Sequence, residues 1–113
     1  MYDPKLDTLL MVVKTKNFTK AAKKLSLTQP AVSHHINQLE GELEVLIFNR
    51  YRGQLQLTPE GEIVVMYARR IKALYEKLQE NLLDQELERT RLKIGITHTA
   101  ESNIIAEVLT RYS

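Results

Sequence analysis

Apolar positions along the first half of this chain follow a helical period, switch briefly to strict alternation, and then return to a helical period. Leu6, Leu9, Leu10 and Val13 stand at i, i+3, i+4 and i+7, one face of a 3.6-residue repeat, and predict a helix over residues 5–15. Asn17, Phe18 and Thr19 interrupt it. Thr19 is the expected N-cap of a second helix over residues 20–25, with Ala21, Ala22 and Leu25 turned inward, where alanine lets a neighbouring helix approach closely. Ser26 and Leu27 form a turn without glycine. A third helix starts behind the cap Thr28, with Pro30 in its first turn, where a missing N–H does no harm. Val32, Ile36, Leu39 and Leu43 form its buried stripe; Pro30, His34, Asn37, Gln38 and Gly41 lie opposite, flanked by Gln29 and Ser33. Residues 46–50 and 54–57 read as two short strands, with Leu55 and Leu57 alternating with Gln54 and Gln56. Between them Tyr51, Arg52 and Gly53 turn, Gly53 being available for positive φ.

Thr58, Pro59 and Glu60 then give cap, proline and acid in the order of a helix start. No breaker follows until about Glu88. Ile63, Tyr67, Ile71, Leu74, Leu78 and Leu82 step by 4, 4, 3, 4 and 4. That stripe is too long for one small domain to cover, and is expected to pair with a helix from a second copy. Residues 91–97 read as a strand, His98, Thr99 and Ala100 as a loop, and residues 101–112 as a helix. A strand followed by a helix opens an α/β domain. One such unit buries no core, so the chain is expected to stop inside its second domain. The fold class expected is mainly α: a winged helix-turn-helix over residues 1–58, a linker or dimerisation helix over 59–90, and over 91–113 the first βα unit of an incomplete α/β effector-binding domain.

Charge sharpens this picture. The net charge of the 113 residues is only +2, but residues 1–58 carry eight Lys/Arg against five Asp/Glu, and residues 59–90 five against seven. Lys14, Lys16, Lys20, Lys23 and Lys24 fall within eleven residues, while the acids Glu40, Glu42 and Glu44 come late. Positive charge is gathered where a phosphate backbone uses it; a solvated lysine-rich helix face is the competing interpretation. The exposed face of the third helix offers hydrogen-bonding groups and no carboxylate until Glu40, a surface suited to a DNA major groove. Gln29 carries an amide that matches adenine N6 and N7.

Other chemistries find little support. Without cysteine there are neither disulfides nor thiolate metal sites. His34 and His35 are adjacent on a helix and point about 100° apart, so they do not chelate one ion well; no metal and no cofactor are expected. His34 is read as a donor facing DNA and His35 as a half-buried packing residue. With no HExxH, no Gly-rich phosphate loop and four glycines in all, an enzyme is not expected. The longest apolar run, residues 63–68, is far short of a membrane span. The first ten residues lack the order of a signal peptide, so a cytoplasmic protein is expected.

Phe18-Thr19-Lys20-Ala21-Ala22, Leu25, Thr28-Gln29-Pro30-Ala31-Val32-Ser33, Ile36, Leu39-Glu40, Leu46, Phe48, Arg50, Leu57-Thr58, Gly61 and Leu92-Lys93-Ile94-Gly95 together resemble the N-terminal part of LysR-type transcriptional regulators. The match runs in order through nearly the whole chain. It implies a bacterial-type transcription regulator that binds an interrupted inverted repeat in double-stranded DNA as a homodimer, often a tetramer, paired through the linker helices. A small-molecule effector would bind only in a complete C-terminal domain. By position, Thr28, Gln29, Pro30, Ser33 and His34 would face bases and nearby phosphates, and Arg50 and Arg52 would be wing contacts. Thr19, Lys20 and Asn37 complete the expected DNA-facing set, and Thr97, His98 and Thr99 the expected effector-pocket lining. Many members place arginine at the position of His34, a stronger guanine reader, and often proline at that of Ala106. A winged-helix module that binds protein rather than DNA is the alternative; steep loss of affinity with salt separates the two.

Overall fold

Capping residues partition the chain into helices before any tertiary contact is made. The computed structural model describes residues 2–94. Asp3 accepts the Lys5 N–H at 2.9 Å and starts α1 (Pro4–Thr15). Lys16, at φ 56°, ends it by donating its N–H to the Val12 carbonyl at 2.7 Å. Asn17, not Thr19, caps α2 (Phe18–Leu25), its Oδ1 accepting the Lys20 N–H at 2.8 Å. The helix therefore begins two residues earlier than expected, and Thr19 lies inside its first turn. Asparagine is at least as good a cap as threonine, and the helix gains two residues by starting there. Ser26, at φ 57°, makes the glycine-free turn. Thr28 caps α3 (Gln29–Leu43) as expected, its hydroxyl accepting the Ala31 N–H at 3.2 Å.

The core forms where these three helices meet. Leu9, Val12, Ala21 and Val32 have no exposed surface, and Ala22, Ile36 and Leu39 almost none. Each fully buried aliphatic side chain there contributes about 1.5–3 kcal/mol. Leu43 departs from the expected stripe at 48% exposure. Its phase on the helix is right, but it sits in the last turn, beyond Leu39, where α3 outruns its neighbours. His35 is half-buried and ties α3 to α1, its Nδ1 lying 2.8 Å from the hydroxyl of buried Thr8. Lys5 adds ion pairs at 3.3 Å to Asp3 and 3.4 Å to Glu42. The hydrogen bond with Asp3, assisted by both carboxylates' charge, raises the Lys5 ammonium above the usual lysine value against some desolvation.

The hairpin of β1 (Phe48–Tyr51) and β2 (Gln54–Leu57) is antiparallel, with Phe48 opposite Leu57 and Tyr51 opposite Gln54. The first strand starts two residues later than expected. Ile47 is fully buried while Leu46 is 66% exposed, so this stretch enters the core before it pairs. Arg52 and Gly53 form the tip, both at positive φ, 52° and 75°, the geometry that keeps a two-residue hairpin turn in step with the strands' twist.

Helix α4 runs over Pro59–Ile94. Its Gly61, Val65 and Ala68 are buried and join the core. The chain divides into two units, Met1–Ala73 and Leu74–Ser113; the first takes in the opening turns of α4, and the described part of the second is helix. Residues 91–94 are helical where a strand was expected. Nothing breaks a helix before Gly95, and an Arg91–Glu88 pair at 3.7 Å, one turn apart, supports the last turns. The rest of that expected strand, the helix over 101–112 and the candidate pocket residues Thr97, His98 and Thr99 lie outside the described residues.

Candidate nucleic-acid interface

Two devices hold the hairpin against the helices. The Phe18 and Phe48 rings meet edge to face, with centroids 6.1 Å apart and planes at 81°, which couples the start of α2 to β1. One residue before Phe48, Glu40 on α3 accepts the Ile47 N–H at 2.8 Å. Thr58 acts as a hub. Its N–H donates to the Ile47 carbonyl at 2.9 Å, its hydroxyl lies against the Leu46 and Ile47 carbonyls, and its Oγ1 accepts the Gly61 N–H at 2.8 Å. Glu40 thereby spends its carboxylate on the backbone, away from the exposed face of α3.

That exposed face carries Gln29, Pro30, His34 and Asn37, with Thr28 just before it and Ser33 half-buried. Gln29 Nε2 donates to Ser33 Oγ at 2.9 Å. The amide is thus oriented by its neighbour one turn along, and keeps Oε1 and a second N–H free for an outside partner. A side chain held this way loses less rotamer freedom on contact than a free one. The first turn of α3 holds no acid, so nothing on it repels a polyanion.

Around this face the cations come from α2 and the hairpin. Lys20, Lys23 and Lys24 are exposed on α2, and Arg50 and Arg52 are exposed on the hairpin. The Arg52 guanidinium sits 5.3 Å from the centroid of the Tyr51 ring, which steadies an otherwise long, mobile side chain. Thr19, Gln29 and Arg50 share one cleft; Arg52 stands apart from it at the hairpin tip. Asn17, absent from the expected set, lines the same cleft, and its high N-cap preference was the signal that could have found it. Among the described residues no group of three His, Asp or Glu side chains is placed to hold a metal ion, and no helix is long and apolar enough to cross a membrane.

Most of the apolar positions of the stripe expected on α4 are exposed. Ile63, Tyr67 and Ile71 in the first unit are 56%, 52% and 48% exposed. Leu74 and Leu82 in the second are 70% and 60% exposed, and Leu78 is half-buried.

Comparison with known proteins gives one consistent picture. Residues 5–62 match the family described as bacterial regulatory helix-turn-helix protein, lysR family. A probable RuBisCO transcriptional regulator of Phaeodactylum tricornutum is 38% identical over 109 residues, covering 96% of this chain and 36% of that protein. The HTH-type transcriptional regulator CysL of Bacillus subtilis is 36% identical over 110 residues, covering 96% and 37%. The chain therefore spans about a third of the length of these relatives. Among solved structures, the BenM DBD in complex with benA site 1 DNA superposes with a TM-score of 0.67 at 32% identity, covering 73% of this chain and 95% of that one.

Proposed function

This chain belongs to the LysR family of bacterial regulatory helix-turn-helix proteins, and from that premise we propose that it regulates transcription by binding double-stranded DNA in a sequence-specific way. The observation that carries the reading is the acid-free face of α3, with Gln29 held at its start by Ser33 and cations on both sides. In this reading α3 lies in the major groove, Thr28, Gln29, Pro30, Ser33, His34 and Asn37 meet base edges and nearby phosphates, and Thr19, Lys20, Arg50 and Arg52 engage the backbone. The outward stripe of α4 pairs with a second copy. Two copies then span an interrupted inverted repeat, the two-fold of the protein matching the two-fold of the site.

The protein so read is a cytoplasmic regulator and not an enzyme: the site offers hydrogen-bond donors and charge, with no nucleophile–base pair. Thr97, His98 and Thr99 contribute in this reading to an effector-binding domain, and a complete domain of that kind would support further association to a tetramer.

Gln29→Ala tests the reading role. On the preferred duplex the variant is expected to lose about 1–3 kcal/mol, and selectivity at one base pair should relax. Titrations on cognate and scrambled duplexes at fixed salt measure this. Equal losses on both would assign Gln29 to the backbone and remove it from base readout.

A further inference from the structure

The geometry points to a phosphate seat in the cleft between the α1–α2 turn, the start of α3 and the hairpin, with Lys16, Asn17 and Gln54 as positioning residues that fix the register of α3 on DNA. The assignment rests on the DNA-binding reading above and adds three residues to it. The cleft has a volume of about 550 Å³, and none of the residues lining it is acidic. Lys16 enters from the α1–α2 turn, Arg50 from β1, and Gln54 and Gln56 from β2.

Each contributor is committed in a way that favours an anion. The Lys16 backbone is locked at φ 56° by its bond to the Val12 carbonyl, while its side chain is exposed. Asn17 has its Oδ1 occupied by the Lys20 N–H, so the amide is left with the two N–H donors of Nδ2. Phe18, braced edge to face on Phe48, gives the cleft an apolar wall suited to the sugar carbons beside a phosphodiester.

Gln29 belongs both to this cleft and to the exposed face of α3. A phosphate seated among Lys16, Asn17, Gln54 and Arg50 therefore settles where the Gln29 amide meets the base edges. Contacts of this kind position the protein without carrying sequence information themselves.

The test is a scan in which single phosphates of the preferred duplex are replaced, one at a time, by uncharged methylphosphonates. For the unaltered protein, one or two adjacent positions per half-site are expected to cost about tenfold in affinity, the loss of one charge-assisted contact. Lys16→Gln should lose a similar factor on the unmodified duplex, lower the salt slope by roughly one unit, and show no further loss at those positions. Gln54→Ala should show a smaller loss with the same positional signature. Both side chains are exposed, so neither change touches the core. Full additivity of Lys16→Gln with methylphosphonate at every position, or no loss for Lys16→Gln, would overturn the seat while leaving DNA recognition intact. A protein that prefers no duplex at all would overturn the parent reading and the seat with it.

Discussion

Replacing Leu74 with glutamate is expected to leave a folded monomer that binds the full DNA site about a hundredfold or more weakly. Leu74 is 70% exposed in the single chain and lies outside the core cluster, so the substitution leaves the helical core intact. In the proposed pair of α4 helices the same residue would fall inside an apolar seam. An unpaired carboxylate there costs several kcal/mol unless the helices part. Once they part, each copy holds one half-site, and the gain from binding two linked half-sites, about 10²–10⁴ in affinity, is lost. Leu78→Glu should act in the same way. Sedimentation gives the mass, and binding to one-half-site and two-half-site duplexes separates lost pairing from lost recognition. A dimer of normal affinity in both variants would take the seam away from Leu74 and Leu78.

Gly61→Ala should damage the fold itself. A Cβ at Gly61 would stand 2.1 Å from the Ile47 carbonyl oxygen and 2.9 Å from its carbon. Those are backbone atoms, and they cannot swing aside. The Ile47 carbonyl accepts the Thr58 N–H, and the Ile47 N–H is held by Glu40, so the strand entry is fixed from both directions. Relief requires α4 to move off the hairpin and give up the packing of Val65 and Ala68. The expected cost is about 3 kcal/mol, at the upper end of ordinary overpacking. For a domain of this size it lowers Tm by roughly 12 °C or more. Thermal unfolding followed by circular dichroism checks it; a drop below about 3 °C would mean that α4 tolerates a side chain there. Because Thr58 and Gly61 share the hub that anchors β1, a folded remnant should also bind DNA poorly.

Much of the fold could be read from the chain because it depends on local signals. The Thr28 cap with Pro30 behind it, the two alanines of α2 and the alternation of Leu55 and Leu57 each act within a few residues. What escaped depends on competition or on distant partners. Asn17 and Thr19 are both good caps, and only the two extra helical residues decide between them. Leu46 and Ile47 look alike in sequence, yet one is exposed and the other buried, because the Thr58 hub and Gly61 lie eleven or more residues further on. Leu92 and Ile94 alternate like a strand but sit on a helix already running, and extending a helix is easier than stopping it without a breaker.

The exposed face of α3 was legible as chemistry, since it needs only the helix phase. The cleft beside it was not. Lys16, Asn17, Gln54 and Gln56 come from two separate stretches, the α1–α2 turn and β2, and no spacing rule brings them together. The Gln29–Ser33 bond stands between these cases: its i, i+4 spacing was visible, but its effect on a reading amide depends on side-chain geometry.

Selection of bound duplexes from a random-sequence pool tests the central claim most directly. The protein is expected to enrich an inverted repeat with an unselected interval between its arms, and Gln29→Ala should lose preference at one position in each arm. Enrichment should weaken steeply as salt is raised, because several phosphates contribute. A pool that stays flat through successive rounds at low salt, for a protein shown to be folded and dimeric, would contradict sequence-specific DNA binding and leave a winged-helix module that binds protein.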